Sequence, residues 1–464
     1  MKYRQEKDTM GSVRVPEDAY YGPQTQRAAD NFPISGVTLP PAFIRALALI
    51  KKCAAQVNAD LGLLDTGMAD AIARAAGETL DGKFTDQFIV DVFQTGSGTS
   101  TNMNMNEVLA ARANELLTGQ RASKAPAHPN DHVNMGQSSN DVIPSTLHIA
   151  ALTSIKENLL PAMTRLKNAL QEKASDFADV NKIGRTHLQD AVPMTLGQEF
   201  SGYARQIELG AERLQDAGKR LAELALGGTA VGSGLNAHPE FAPAVIARIA
   251  DHSGIPFVET RNHFEAQAAR DAAVETSGAL KTLAVSLIKI SNDIRWLASG
   301  PRCGLGEINI PALQPGSSIM PGKINPVIPE SVIQVAAQVI GNDTAIMVGG
   351  QSGNFELNVA IPLIAYNLVQ SIHLLTSAIE VFTEKCINGI TVNREACTAN
   401  IEKSLALVTG LVPHIGYEKA ADIAKTAFKT GKTVREVARQ KKILPEDELT
   451  QILESEVNGG NNGK

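Results

Sequence analysis

Four segments of this chain carry side chains suited to chemistry, and each interrupts an otherwise alanine- and leucine-rich helical pattern. In GSGTSTNMNMN, residues 96–106, Ser97, Gly98 and Thr99 offer backbone N–H groups and hydroxyls to an anion. An ordinary turn capped by Ser and Thr explains the same residues. The segment is no dinucleotide fingerprint, because no strand-like run leads in and the third glycine and the downstream acid are missing. In HPNDHVNMGQSSNDVIP, residues 128–144, Ser138, Ser139 and Asn140 stand just ahead of a long helical run, and Pro144 is expected where a missing N–H costs least. Three donors at a helix start suit a carboxylate, since unpaired N–H groups and the helix dipole favour negative charge. Helix capping accounts for any one of them equally well.

In GRTHLQDAVPMTLGQEF, residues 184–200, His187 lies among Arg185, Thr186, Gln189 and Asp190 in a non-helical approach to a helix. That company suits acid–base work better than the setting of an isolated surface histidine. In GSSIMPGKINPVIPE, residues 316–330, Gly316, Pro321 and Gly322 shape a tight turn, and Asn325-Pro326 favours an extended entry to the next helix. Lys323 is its one cation. The stretch reads either as a structural interhelix loop or as a mobile lid that closes over an anion and delivers a serine.

The elements that must position these segments are mostly helical. Residues 1–138 mix short helical runs with turn-rich pieces, residues 139–392 hold long helices with few breakers, and residues 393–464 read as short helices punctuated by Gly and Pro. The final NGGNNGK is expected to be disordered. Leu280, Leu283, Leu287, Ile290, Ile294 and Leu297 step by three and four, while Ala284, Val285 and Ile288 widen the stripe. A helix so broadly apolar is buried on more than one side, either inside one subunit or in a bundle shared between subunits.

Composition narrows the function classes. The 464 residues are 43% hydrophobic, 20% charged and only 4% aromatic, so aliphatic side chains must fill the core. A net charge of −6 with scattered Lys and Arg argues against nucleic acid and against an anionic membrane surface as partners. The polar N-terminus, and the lack of any run near the ~18 consecutive apolar residues of a membrane span, point to the cytoplasm. Cys53, Cys303, Cys386 and Cys397 are widely spaced, which suggests reduced, packing cysteines and neither disulfides nor a zinc site.

GSSIMPGKIN resembles the shared loop motif of the fumarase and aspartase superfamily. HPNDHVNMGQSSND, IGRTHLQDAVPMTLGQEFSGY, LGGTAVGSGLN, NDIRWLASGPRCGLGEINIP and SGNFELNV are similar to segments of class II fumarate hydratases, and together they span nearly the whole chain. The resemblance implies a mainly α, three-region subunit around a central long-helix bundle, assembled as a homotetramer with active sites built from three subunits. It implies reversible hydration of fumarate to L-malate without metal or organic cofactor. By the same resemblance Ser317 is the base that takes a proton from carbon, and Lys323 and Asn325 stabilise the aci-carboxylate that forms. His187 acts through a water on the opposite face, oriented by Glu330. Ser97, Gly98, Thr99, Ser138, Ser139, Asn140, Thr186 and Ser318 would then hold the carboxylates. Two departures stand out. Basic residues typical of the family before His-Pro-Asn-Asp are replaced by Ala125-Pro126-Ala127, so an accessory dicarboxylate site would rest on His128, Asn130 and Asp131. The wording NPVIPE resembles aspartate ammonia-lyase, whose members typically carry Gln where this chain has His187. That lyase is the alternative reading, and a non-catalytic lens-protein relative is a third.

Overall fold

The computed structural model describes residues 2–457, so the expected disordered tail lies outside the described residues. Helices dominate, and the strands described form only two-stranded pieces. The mainly α class expected from the sequence holds. By compactness the chain divides into two units: Met1–Pro161, Gly210–Ala284 and Val335–Thr376 form one, and Ala162–Leu209, Val285–Gln334 and Ser377–Lys464 the other.

The first unit opens with an antiparallel hairpin, Tyr3–Asp8 against Gly11–Pro16, in register from Tyr3↔Pro16 to Asp8↔Gly11. The hairpin packs on the Pro23–Asn31 helix, and helices Pro41–Asp60, Thr66–Leu80, Thr99–Thr118 and Ser139–Ser154 pack on one another around Leu47, Ile50, Ile72, Leu109 and Leu147, each fully buried. Two of these helices run 20 residues, longer than the short runs expected of the N-terminal third. Their alanines let neighbouring backbones approach closely, and helix length is set by such tertiary packing more than by propensity. The NMNMN half of the first polar segment is helical too, with Asn102, Asn104 and Asn106 almost wholly buried. Pro144 also differs from expectation. It sits inside the Ser139–Ser154 helix beyond its first turn, where it removes the bond that the Asn140 carbonyl would accept.

In the second unit the hairpin Asn181–Thr186/Gln189–Thr195 rests on the C-terminal helices. Ile183 is buried in the same core as Ile401, Leu407, Leu411, Ile423 and Leu453. Burying a side chain of this size stabilises by about 1.5–3 kcal/mol, so the base of the hairpin is firmly seated. The short helices expected after residue 393 are present, from Arg394–Lys403 to Glu446–Val457.

Long helices expected for the middle of the chain appear as Leu196–Leu221, Asp271–Leu297, Val327–Gly350 and Ile361–Lys385. On Asp271–Leu297 the stripe from Leu280 to Ile294 is fully buried, while Val285 is 54% exposed. Val327–Gly350 has the length and mean hydropathy, 1.2, of a membrane span, yet only 39% of its apolar window is buried. Its polar content argues for protein surroundings. Asp343, nearly buried, accepts from Ser277 Oγ at 2.7 Å and Lys281 Nζ at 2.6 Å.

Candidate active site

In the first unit, the Thr99–Thr118 helix begins after Gly98, whose φ of 76° only glycine adopts cheaply, and a Cβ there would meet Ile143 Cγ2 at 2.8 Å. This tight entry lines up three hydroxyls. Ser97 Oγ lies 2.9 Å from Thr99 Oγ1, which lies 2.7 Å from Ser139 Oγ, so the first two polar segments meet. Ser138 is the N-cap of the next helix: its Oγ accepts from Asn140 N, and Asp141 accepts from Ser138 N in return. Capping thus explains Ser138 but leaves Ser139 and the carbonyl end of the Asn140 amide, whose Nδ2 donates to Ala230 O at 2.8 Å.

A buried polar layer supports this surface. Asp141 Oδ2 accepts from Gly227 N at 2.9 Å and Thr229 N at 3.1 Å, and burial pushes its carboxyl up to about 6 against these bonds. Lys51, fully buried, donates to Asn134 Oδ1 at 3.0 Å and Gln137 Oε1 at 2.9 Å. Asn134 Oδ1 also accepts from Asn102 and Asn106. Burial pulls Lys51 down to about 7, opposed by the charge of Asp141. Two helix N-termini therefore bias this face toward anions, and the Lys51 amine braces the layer beneath it through its bonds to Asn134 and Gln137.

His128, Asn130 and Asp131 share the Pro129–Val133 turn, where His128 Nδ1 accepts the N–H groups of Asn130 and Asp131 at 3.3 Å. The nearby Lys124 ammonium is engaged by the Lys7 carbonyl.

In the second unit, His187 and Leu188 form the two-residue tip of the hairpin, with φ of 57° and 58°. Such a turn normally takes Asn-Gly, so two bulky side chains held there mark stored strain. Thr186 and His187 are exposed. Arg185 points the other way and grips Glu307 with both Nη atoms, at 3.0 and 2.6 Å. The loop of residues 316–326 is clasped at its neck: Gly316 N donates to Lys323 O at 2.8 Å, and Asn325 Nδ2 to Gly316 O at 2.7 Å. A Cβ on Gly316 would meet Lys323 O at 2.5 Å, so only glycine allows this neck. Within the loop Ser317 Oγ accepts N–H bonds from Ile319 at 3.2 Å and Met320 at 3.0 Å. Ser318 and Lys323 are exposed. Glu330 lies in the first turn of Val327–Gly350. Among the described residues, no side-chain hydrogen bond or ion pair joins His187 to Glu330 or to Ser317 within one chain, and none occupies Lys323.

Residues 11–341 match the family model described as Lyase, and residues 407–457 the one described as Fumarase C C-terminus. The class II fumarate hydratase of Nitrosomonas europaea is 57% identical over 94% of this chain and 95% of its own. The chain belongs to the class II fumarate hydratase family. Two solved structures agree with that membership. A class II fumarase from Schistosoma mansoni is similar at 39% identity and TM-score 0.95, covering 99% of each chain. A fumarate lyase:delta crystallin from Brucella melitensis is similar at 47% identity and TM-score 0.94, covering 99% of this chain and 100% of its own.

Sequence reasoning missed several groups that support the candidate site of this class II fumarase family member. Asp141 was legible as the acid of a Ser-x-x-Asp capping box. Lys51 left a fainter signal, a lysine on the helix face that carries Leu47 and Ala54. Glu307 left none, since GEINIP has no charge pattern that names a partner. Three of the four cysteines are buried as expected, and burial raises their thiols, but Cys303 is exposed.

Proposed function

We propose that the protein is a fumarate hydratase, interconverting fumarate and L-malate by anti addition and elimination of water through an aci-carboxylate. The observation that carries the reading is the loop geometry at Ser317. Two N–H donors converge on its Oγ, which favours the alkoxide and makes a weak base into a usable one, while the exposed Lys323 ammonium has no partner among the described residues. From malate, Ser317 takes the C-3 proton, and the electron pair moves into the adjacent carboxylate. Lys323 and Asn325 stabilise that extra charge. The C–O bond then breaks, and the departing hydroxide receives a proton relayed through water from His187, giving fumarate and water. Ser97, Gly98, Thr99, Ser138, Ser139, Asn140, Thr186 and Ser318 hold the carboxylates, which fixes a small dianion at both ends. Glu330 orients His187.

Among the described residues, the side chains of His187 and Glu330 have no hydrogen-bond or ion-pair partner within one chain, which agrees with a site completed by other subunits. A homotetramer is further supported by exposed apolar side chains on the long helices. Val285, Trp296, Met347 and Val348 are each about half exposed, and the helix Val327–Gly350 that carries the last two has only Glu330 and Asp343 as charged residues. We assign the three regions 1–138, 139–392 and 393–464 to such a subunit, working in the cytoplasm. His128, Asn130 and Asp131 would make at most a weak accessory dicarboxylate contact, because the Asp131 carboxylate repels a dianion and the nearby lysine is engaged.

The alternative, aspartate ammonia-lyase, is disfavoured by the imidazole at position 187 and by relatives that are fumarate hydratases. Fumarate absorbance followed in ammonium-free buffer decides between them. It should fall as malate accumulates, and a fall that requires added ammonium would overturn the assignment.

A further inference from the structure

We propose that Glu307 is a positioning residue for turnover: through Arg185 it fixes the hairpin tip and with it the imidazole of His187. The inference rests on the reading of His187 as the acid–base group.

Glu307 is fully buried and held on every side. Its N–H donates to Leu297 O at 2.9 Å, and its carbonyl accepts from Asn393 N at 2.9 Å and Cys397 Sγ at 3.6 Å. Its carboxylate takes the two Arg185 bonds, a third from Asn400 Nδ2 at 3.1 Å, and the Lys182 ammonium at 3.8 Å. Lys182 in turn pairs with Glu199 at 2.9 Å. A buried ion pair contributes little net stability, because desolvation offsets most of the attraction. What a two-pronged bond to a rigid anchor does supply is orientation.

That orientation acts at the tip, beyond the base of the hairpin that Ile183 seats in the C-terminal core. Below Arg185 the strand register slips between Ile183 and Arg185, and beyond it residues 186–190 are all exposed. Among the described residues, Arg185 is the last side chain with a fixed partner before the strained tip. A shift of about 1 Å in an acid–base group costs on the order of a hundredfold in rate.

The test compares wild type, Glu307→Gln and Arg185→Lys, each checked for assembly and Tm. Arg185→Lys keeps a cation without the fork, and so carries the test if Glu307→Gln does not fold. We expect kcat to fall at least about tenfold with KM changed less than about threefold. A second readout separates positioning from general damage. With malate in D2O, Ser317 can still remove the C-3 proton and return a deuteron, while C–O cleavage waits on His187. The ratio of C-3 exchange to fumarate formation should therefore rise several-fold, on the order of the loss in kcat. A folded variant with wild-type kcat, or one losing exchange and dehydration in equal proportion, overturns the proposal. A wild-type protein that does not hydrate fumarate would instead overturn the functional reading.

Discussion

Replacing Lys51 by Met keeps the length of the side chain and removes its amine. Lys51 is wholly buried, and burial lowers it from 10.5 to about 7. Between those values the folded protein holds the amine neutral while the unfolded chain protonates it. The stability contribution is therefore greatest above the unfolded value and is lost as pH falls toward about 7. Met carries no such linkage. From about pH 7.5 to about pH 9.5, wild type should gain on Lys51→Met by roughly 1.4 kcal/mol per pH unit, close to ~3 kcal/mol in all. Asp141 does not disturb this window, because its raised value of about 6 places its own loss of stability at lower pH, between its unfolded value and about 6. With an unfolding entropy of about 2.1 cal/mol/K per residue, the 464-residue chain carries about 1 kcal/mol/K. The gap in Tm should then widen by about 3 °C, on top of a constant cost of roughly 1–3 kcal/mol for leaving the Asn134 and Gln137 carbonyls without a donor. Scanning calorimetry of both proteins at fixed concentration reads it directly. A gap that stays flat across the window would refute the claim that a neutral, buried Lys51 underlies the Ser138–Asn140 surface.

Ser317→Ala and His187→Asn should each lower kcat by about 10²–10⁴ while Tm and assembly, measured by calorimetry and light scattering, stay at wild type. Loss of assembly in both would make these loops structural. Val348→Asp places a charge on a half-exposed apolar face of Val327–Gly350 and should shift the solution mass toward smaller species; a mass equal to that of wild type would show that this face is free. Leu188→Gly relieves a left-handed residue at the hairpin tip and should raise stability by about 1 kcal/mol while slowing turnover, so a variant with unchanged or lower Tm would deny the strain.

The legible part of this protein was periodic or polar in sequence. The steps of three and four from Leu280 to Leu297 announced a helix with a buried face, and those six residues are buried, whereas Val285, read as widening the stripe, is half exposed. The four polar segments stood out because glycine, proline and hydroxyl residues cluster where helices break. The Asn102, Asn104 and Asn106 alternation was misread for a definite reason. Amide side chains discourage a helix interior locally, and the acceptor for the Nδ2 groups of Asn102 and Asn106 is Asn134 Oδ1, which lies far along the chain. The same holds for Lys51 and Glu307, whose partners lie 83 and 122 residues away in sequence.

The hairpin tip shows why such hidden partners matter to the chemistry. His187 and Leu188 have no glycine or asparagine to ease a left-handed turn, and holding two such residues costs on the order of 1–3 kcal/mol each. Local sequence therefore opposes the conformation that carries the proposed acid–base group, and something outside the turn must impose it. Two attachments do so: Ile183, sunk into the C-terminal core, and Arg185, forked onto Glu307. The first fixes where the hairpin stands and the second how its tip is turned. A histidine on a free loop would sample many orientations and spend few of them facing a reacting oxygen. Strain imposed by a buried anchor restricts that sampling before substrate arrives, so the orientational cost is met during folding and not at each turnover.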